Sequence, residues 1–151
     1  MTSDFSITMT DAPPQDLWQH VWDGLAAYNL QFAPPDGHQQ LVIFVHDAAQ
    51  KLVGGLLGGT AWEWLYINIF WLDESMRRQR LGEKILRMAE QEAVRRGCRH
   101  VYFDTLSFQA RGFYEKYGYV VFAELDDFPP GHKKYFMKKD LGPEQKENHD
   151  D

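Results

Sequence analysis

The chemistry-bearing part of this chain is a short run of cations. Arg77, Arg78, Gln79, Arg80, Leu81, Gly82 and Glu83 follow one another. Before them lies the most apolar segment of the chain, Trp64–Leu72; after them Leu81, Ile85, Ala89 and Ala93 recur at helical spacing. The three arginines therefore stand at the amino end of a helix, which already carries about half a positive charge, and each cation added there costs about 0.3–1 kcal/mol. A sequence chosen for helix stability alone would place acids in that turn. An anion bound there resolves the conflict, gripped by the free backbone N–H groups of the first turn, with Gly82 allowing close approach. The alternative is a solvated basic turn neutralised by Asp73, Glu74 and Glu83. Charge does not separate the two readings. The surroundings do, because a buried strand, a short loop and a basic helix start together make a phosphate cradle.

The elements that must position this turn follow from periodicity. Phe5–Met9 alternates as a short strand. After Pro13 and Pro14, a helix begins at Asp16 and carries Leu17, Val21, Leu25, Tyr28 and Phe32 at spacings of three or four. Leu41–Val45 and Leu52–Leu57 form a hairpin about Asp47–Lys51, and Gly54, Gly55, Gly58 and Gly59 in its second arm predict a bulge or a close backbone approach. Trp64–Leu72 reads as a central strand buried on both faces. The helix after the cationic turn stops at Gly97, behind Arg95 and Arg96. Val101–Thr105 is a strand, Ser107 caps a short helix ending at Gly118, and Tyr119–Leu125 and Lys133–Leu141 close the sheet. The expected order is β-α-β-β-β-α-β-α-β-β: an α/β (α+β) mixed sheet with one parallel crossover, from Trp64–Leu72 to Val101–Thr105.

The 151 residues fit one domain, expected over residues 1–141, and 44% apolar content is enough for a core. The acids of residues 142–151, set against Lys146, give that stretch a net charge of −3; it is expected to be a disordered acidic tail. The whole chain carries −6, which argues against nucleic acid as the partner. The lone Cys98 excludes an internal disulfide and a cysteine zinc cluster and fits a reducing, cytoplasmic setting. No residue set suggests a metal, and no apolar run is long enough for a membrane span. Cys98 has no recognisable His–Asp arrangement around it and reads as a small buried thiol rather than a nucleophile.

Two segments together resemble the GNAT family of N-acetyltransferases. Arg77-x-x-Arg80-x-Gly82 stands where that family has Arg/Gln-x-x-Gly-x-Gly/Ala, with Arg80 in the place of the first glycine and Arg78 where a glycine is common. Ser107-Phe-Gln-Ala-Arg-Gly-Phe-Tyr-Glu-Lys-Tyr-Gly-Tyr119 is similar to the family's Asn-x-x-Ala-x-x-Phe-Tyr-Glu-Lys-x-Gly-Phe, with Ser107 replacing the asparagine. The element order agrees too, so the resemblance spans roughly Phe5 to Leu141. It implies the acyl-CoA N-acyltransferase fold, acetyl-CoA as the acetyl source, and direct attack by a primary amine of a small molecule or a protein lysine.

The same resemblance distributes the roles. Phe70, Trp71 and Leu72 would pair with the pantetheine arm as an added strand. Arg77, Arg78, Gln79, Arg80, Leu81, Gly82 and Glu83 would hold the pyrophosphate, and Ser107, Ala110 and Tyr114 would line the cofactor. A backbone N–H near Leu72 would polarise the thioester carbonyl. Tyr114 takes the place of the general acid, a phenol with a pKa of about 10 facing a thiolate leaving group. Asn68 lies mid-strand where an acid would be convenient, so Glu63 is the first candidate base and His132 the second. Trp22, Tyr28, Asn29 and Asn68 are candidates for the acceptor wall. Glu124, Asp126 and Asp127 read as a solvated acidic turn. The competing readings are a non-catalytic acyl-CoA sensor, a toxin acting on charged transfer RNA, which the acidity disfavours, and a dinucleotide-binding domain, whose glycine-rich loop is absent. A homodimer is the default assembly for a small enzyme.

Overall fold

A computed structural model describes residues 4–77 and 80–142. Arg78, Gln79 and the acidic stretch from residue 143 onward lie outside the described residues. The chain divides into two compact units, Met1–Asp36 and Gly37–Asp151.

The first unit is built on helix α1, Gln15–Asn29. Its first turn closes with the Trp18 N–H on the Pro14 carbonyl at 3.1 Å. At its far end the Tyr28 and Phe32 rings meet at 5.3 Å, as their spacing of four predicts. The strand expected at Phe5–Met9 does not form. A strand is held by a ladder to a neighbour, and among the described residues none is paired with these in a ladder; Phe5, Ile7 and Met9 are all exposed. Five alternating residues specify a face but not a partner.

The second unit is a six-stranded sheet in the order β1-β2-β3-β4-β6-β5. Strands β1 (Gln39–His46) and β2 (Leu52–Ala61) form the expected hairpin. Asp47 sets its turn by accepting the Ala49 and Lys51 N–H groups at 2.8 and 2.9 Å. Strand β3 (Trp64–Leu72) returns antiparallel to β2 through Trp62 and Glu63, both at positive φ. Helix α2 (Leu81–Arg95) crosses over to β4 (His100–Leu106), which lies parallel to β3. Helix α3 (Arg111–Lys116), β5 (Val120–Asp126) and β6 (Lys133–Asp140) complete the unit. All strand pairs other than β3–β4 are antiparallel.

The α2 stripe does what its period predicts. Ile85, Leu86, Ala89 and Ala93 are buried against a cluster that includes Leu41, Leu56, Leu65, Val101, Phe103 and Met137. Leu56, Leu65 and Val101 have no exposed surface, and burying each contributes about 1.5–3 kcal/mol. One charged group joins this core. Glu90 accepts the Tyr119 hydroxyl at 2.6 Å and the Lys139 ammonium at 3.0 Å, tying α2 to the residue that precedes Val120 and to β6. Burial and the Glu90 carboxylate push the Tyr119 phenol far up.

The glycine-rich arm makes the close approach its composition predicts, and the bulge beside it falls on the partner strand. A Cβ on Gly58 would lie 2.2 Å from the Tyr66 carbonyl oxygen, so the strands approach as only glycine permits. At the same point the register slips: Leu57 pairs with Ile69 but Gly58 with Ile67. Asn68 is thus the extra residue of a β-bulge.

Candidate active site

The site begins where two strands part. β3 and β4 pair from Trp64 with His100 through Ile67 with Phe103, and then the pairing ends. β3 continues as Asn68–Leu72 and β4 as Asp104–Leu106, each still paired on its outer side, to β2 and β6 respectively. The bulge at Asn68 supplies the bend, since an extra residue turns its strand away from the ladder. A cleft of about 900 Å³ opens in the gap, lined by Asn68 to Leu72 on one side and Asp104 to Leu106 on the other. The central strand is therefore buried in its first half only: Asn68, Ile69 and Trp71 are exposed, contrary to the expectation of burial along its whole length.

The mouth of the cleft is the junction between β3 and α2. Asp73 caps a single 3₁₀ turn, Glu74–Met76, by accepting from Ser75, and these bonds hold its carboxyl below the ordinary range. Arg77 then folds back, and its Nε donates to the Leu72 carbonyl at 3.0 Å. Arg80 enters α2 with φ +56° and without a side-chain cap. That left-handed conformation costs a non-glycine residue about 1–2 kcal/mol, which accounts for a glycine being the expected residue there. Gly82 packs flat: a Cβ on it would stand 3.3 Å from the Phe113 ring and 3.7 Å from Leu72. Glu83 lines the cleft but is spoken for. Arg87 donates to it at 3.1 Å and the Tyr117 hydroxyl at 3.2 Å, and these contacts lower its pKa.

Among the described lining residues, Arg77, Arg80, Lys116 and Lys134 face only two acids, Glu83 and Asp104. The cleft is thus cationic in a chain of net charge −6, as a polyanionic ligand requires. A splayed strand with exposed backbone, a cationic helix start and a flat glycine suit the amides and pyrophosphate of coenzyme A. Arg77, Arg80, Gly82 and the β3 segment Phe70–Leu72 are the residues that would hold it.

Tyr114 stands on the inner wall. Its ring packs on Phe103 at 4.3 Å and Tyr119 at 6.0 Å, and its side chain lines the cleft. Burial pushes its phenol up to about 12. Among the described residues no hydrogen bond to its hydroxyl is seen, and Tyr114 is one of the residues that line the cleft. Ala110 lines the cleft next to it, as the N-cap of α3.

Other expected residues fall elsewhere. Ser107 does not cap α3, which starts four residues later. Its Oγ is taken by β6 instead, accepting the Lys133 N–H at 3.1 Å and lying 3.2 Å from His132 Nδ1. His132 packs edge-on against Phe108 at 4.8 Å, behind the cleft wall rather than in it. Leu81 turns its side chain toward the core. Glu63 sits in the β2–β3 turn, where its carbonyl accepts the Arg99 N–H at 2.8 Å. The first lining residue, Ile67, is four residues on, about 13 Å along the strand. Trp22, Tyr28 and Asn29 belong to the first unit.

Sequence reasoning missed Asp104, Thr105, Gln109, Phe128 and Lys134, which also line the cleft. Gln109 Oε1 accepts from the Leu106 N–H at 2.7 Å and lies 3.2 Å from Thr105 Oγ1, fixing the end of β4. Asp104 left a signal in the sequence, since an aspartate inside a strand is disfavoured unless something needs it.

The comparisons agree with this geometry. Residues 6–119 match the acetyltransferase (GNAT) family. An acetyltransferase of Agrobacterium fabrum is 32% identical over 134 residues, 89% of this chain and 98% of that protein. The blasticidin-S acetyltransferase of Streptomyces morookaense is 37% identical over 92 residues, 60% of this chain and 68% of that protein. A crystal structure of an Agrobacterium tumefaciens acetyltransferase superposes with a TM-score of 0.83 at 32% identity, covering 90% of this chain and 99% of that one. With a split sheet, a cationic helix start and this breadth of similarity, the chain belongs to the GNAT acetyltransferase family and is an acyl-CoA-dependent N-acetyltransferase.

Proposed function

We propose that the chain transfers the acetyl group of acetyl-CoA to a primary amine of a small molecule by direct attack. The carrying observation is the parting of β3 from β4 after Ile67 and Phe103, with Tyr114, Arg77 and Arg80 among the residues that line the gap. Acetyl-CoA supplies a thioester whose carbonyl carbon the amine attacks. Backbone N–H groups of the bulged segment after Ile67 polarise that carbonyl, as donors aimed at developing charge do. Tyr114 gives its proton to the departing sulfur; a phenol raised to about 12 stays protonated throughout the neutral range, so it is always ready to donate. Arg77 and Arg80 hold the diphosphate charge, and Arg78 and Gln79, between them in sequence, belong to the same proposed set.

A small-molecule acceptor is favoured over a protein lysine by the similarity to an enzyme named for an antibiotic acceptor. Glu63 and His132 remain proposals as bases that act through water, Glu63 from the β2–β3 turn and His132 from behind Phe108. The test is the release of free thiol from acetyl-CoA against a panel of amines that includes blasticidin S, alkyl diamines and lysine peptides. Turnover on a small amine is expected. Coenzyme A binding with no turnover on any amine would refute the reading.

A further inference from the structure

The cleft already holds an ammonium. Lys134 Nζ lies 3.7 Å from Asp104 Oδ1 and 3.7 Å from the centre of the Phe128 ring, and all three side chains line the cleft. The register explains the meeting. Asp104 pairs with Phe136 and Leu106 with Lys134, so Asp104 and Lys134 are diagonal neighbours on one face of the β4–β6 ladder. The Lys134 side chain is only 19% exposed. Yet it is loosely paired. Among the described residues the adjacent Lys133 has two carboxylates, Glu124 and Asp126, each at 3.3 Å, and Lys134 has one, at 3.7 Å.

The place of this cluster matters. Ile67 and Phe103 are the last pair before the split, so Asn68 and Asp104 are the first residues on its two banks. Successive strand residues face opposite ways. Phe103 points into the core, where Tyr114 packs on it, and Asp104 points to the other face. The leaving-group side and the Asp104 side therefore lie on opposite faces of the sheet at the same level of the gap, which is the separation that a transfer from one group to another needs.

We propose that Asp104 and Phe128 form the acceptor's ammonium site, that Lys134 occupies it in the unliganded protein, and that the acceptor ammonium displaces Lys134. A carboxylate beside an aromatic face is the pairing that recognises a primary alkylammonium. The acceptor class is accordingly a primary alkylamine, charged at neutral pH, in preference to an aromatic amine or hydrazide. This inference rests on the transferase reading given above, and its test has an arm that does not.

In the catalytic arm, an alkyl diamine and a neutral aromatic amine compete as acceptors. Asp104→Asn is expected to lower the ratio of their kcat/KM values at least tenfold, whereas Lys134→Met is expected to raise it. A ratio unmoved by Asp104→Asn overturns the site, and a Lys134→Met variant that lowers the ratio overturns the displacement. In the binding arm, 1,4-diaminobutane is titrated calorimetrically into the full chain in the presence of coenzyme A. Binding to the wild type weakened about tenfold by Asp104→Asn supports the site; no binding to the wild type overturns it. If the diamine binds in this way and no amine is acetylated, the ammonium site stands and the transferase reading falls.

Discussion

β3 and β4 run side by side but do two different jobs along their length. In the first half, Trp64–Ile67 pairs with His100–Phe103, and the inward residues Leu65 and Val101 are fully buried. In the second half, the strands carry backbone groups that no strand satisfies from the inner side, and Ile69 and Trp71 are about half exposed. One local device, the extra residue at Asn68, separates the two. An unpaired buried backbone group costs free energy, so a sheet that opens itself needs a ligand or water in the gap. The paired half should respond to substitution through stability, and the open half through binding and rate.

The largest expected effect is on rate. Tyr114→Phe keeps the ring that packs on Phe103 and removes the proton donor. We expect turnover to fall about 100-fold or more, in line with the usual contribution of a general acid, while coenzyme A affinity changes less than threefold. Steady-state kinetics alongside calorimetric titration read both. Undiminished turnover would remove Tyr114 from the chemistry.

The next effect separates the halves directly. Leu65→Ala leaves a cavity beneath the paired half and should cost about 2–5 kcal/mol in urea denaturation. Trp71→Ala, in the open half, should cost less than about 1 kcal/mol and weaken coenzyme A severalfold. If Trp71→Ala destabilises as much as Leu65→Ala, the open half is core and the distinction collapses.

A smaller effect lies in alkali. Tyr114 holds its proton to about pH 12 when folded, whereas the unfolded chain releases it near 10. Between those values the unfolded state binds fewer protons, so stability falls as pH rises, by up to about 1.4 kcal/mol per unit. Below pH 10 the contribution is fully present. Tyr114→Phe lacks this loss, so the stability gap between wild type and variant should shift in the variant's favour from pH 9 to 11.5. A gap that stays constant would mean that the hydroxyl is as solvated in the fold as in the open chain.

The sequence carried a great deal of this arrangement. The crossover, the hairpin, the close approach at the glycine-rich arm and the helix behind the cationic turn follow from period and turn chemistry, because those signals are local. What it did not carry is non-local. The Asp104–Lys134–Phe128 cluster depends on a register between β4 and β6 that a diagonal contact defines. Ser107 reads as a helix cap because serine often is one, but the neighbouring strand claims its oxygen. Glu63 reads as a base because it precedes the central strand, but where the cleft begins along that strand is decided by the bulge. Phe5–Met9 alternates like a strand and is not one, because alternation specifies a face and no partner.

The smallest effect concerns Arg80, the residue in place of a glycine, and it should split into two opposite signs. Its φ of +56° is strained for any side chain, and the side chain makes no cap bond that would compensate. Arg80→Gly relieves about 1–2 kcal/mol of that strain and adds about 0.5–1 kcal/mol of conformational entropy to the unfolded chain. The net gain in stability should be about 0.5–1 kcal/mol. The same change takes one cation from the mouth of the cleft, so coenzyme A should bind severalfold more weakly, with a shallower salt dependence. A glycine variant that is more stable and binds coenzyme A equally well would show that the backbone of the turn grips the phosphates and that the arginine is a tolerated replacement. A variant that loses affinity while gaining stability would show that this chain accepts a strained entry to α2 in exchange for charge at the open end of the sheet.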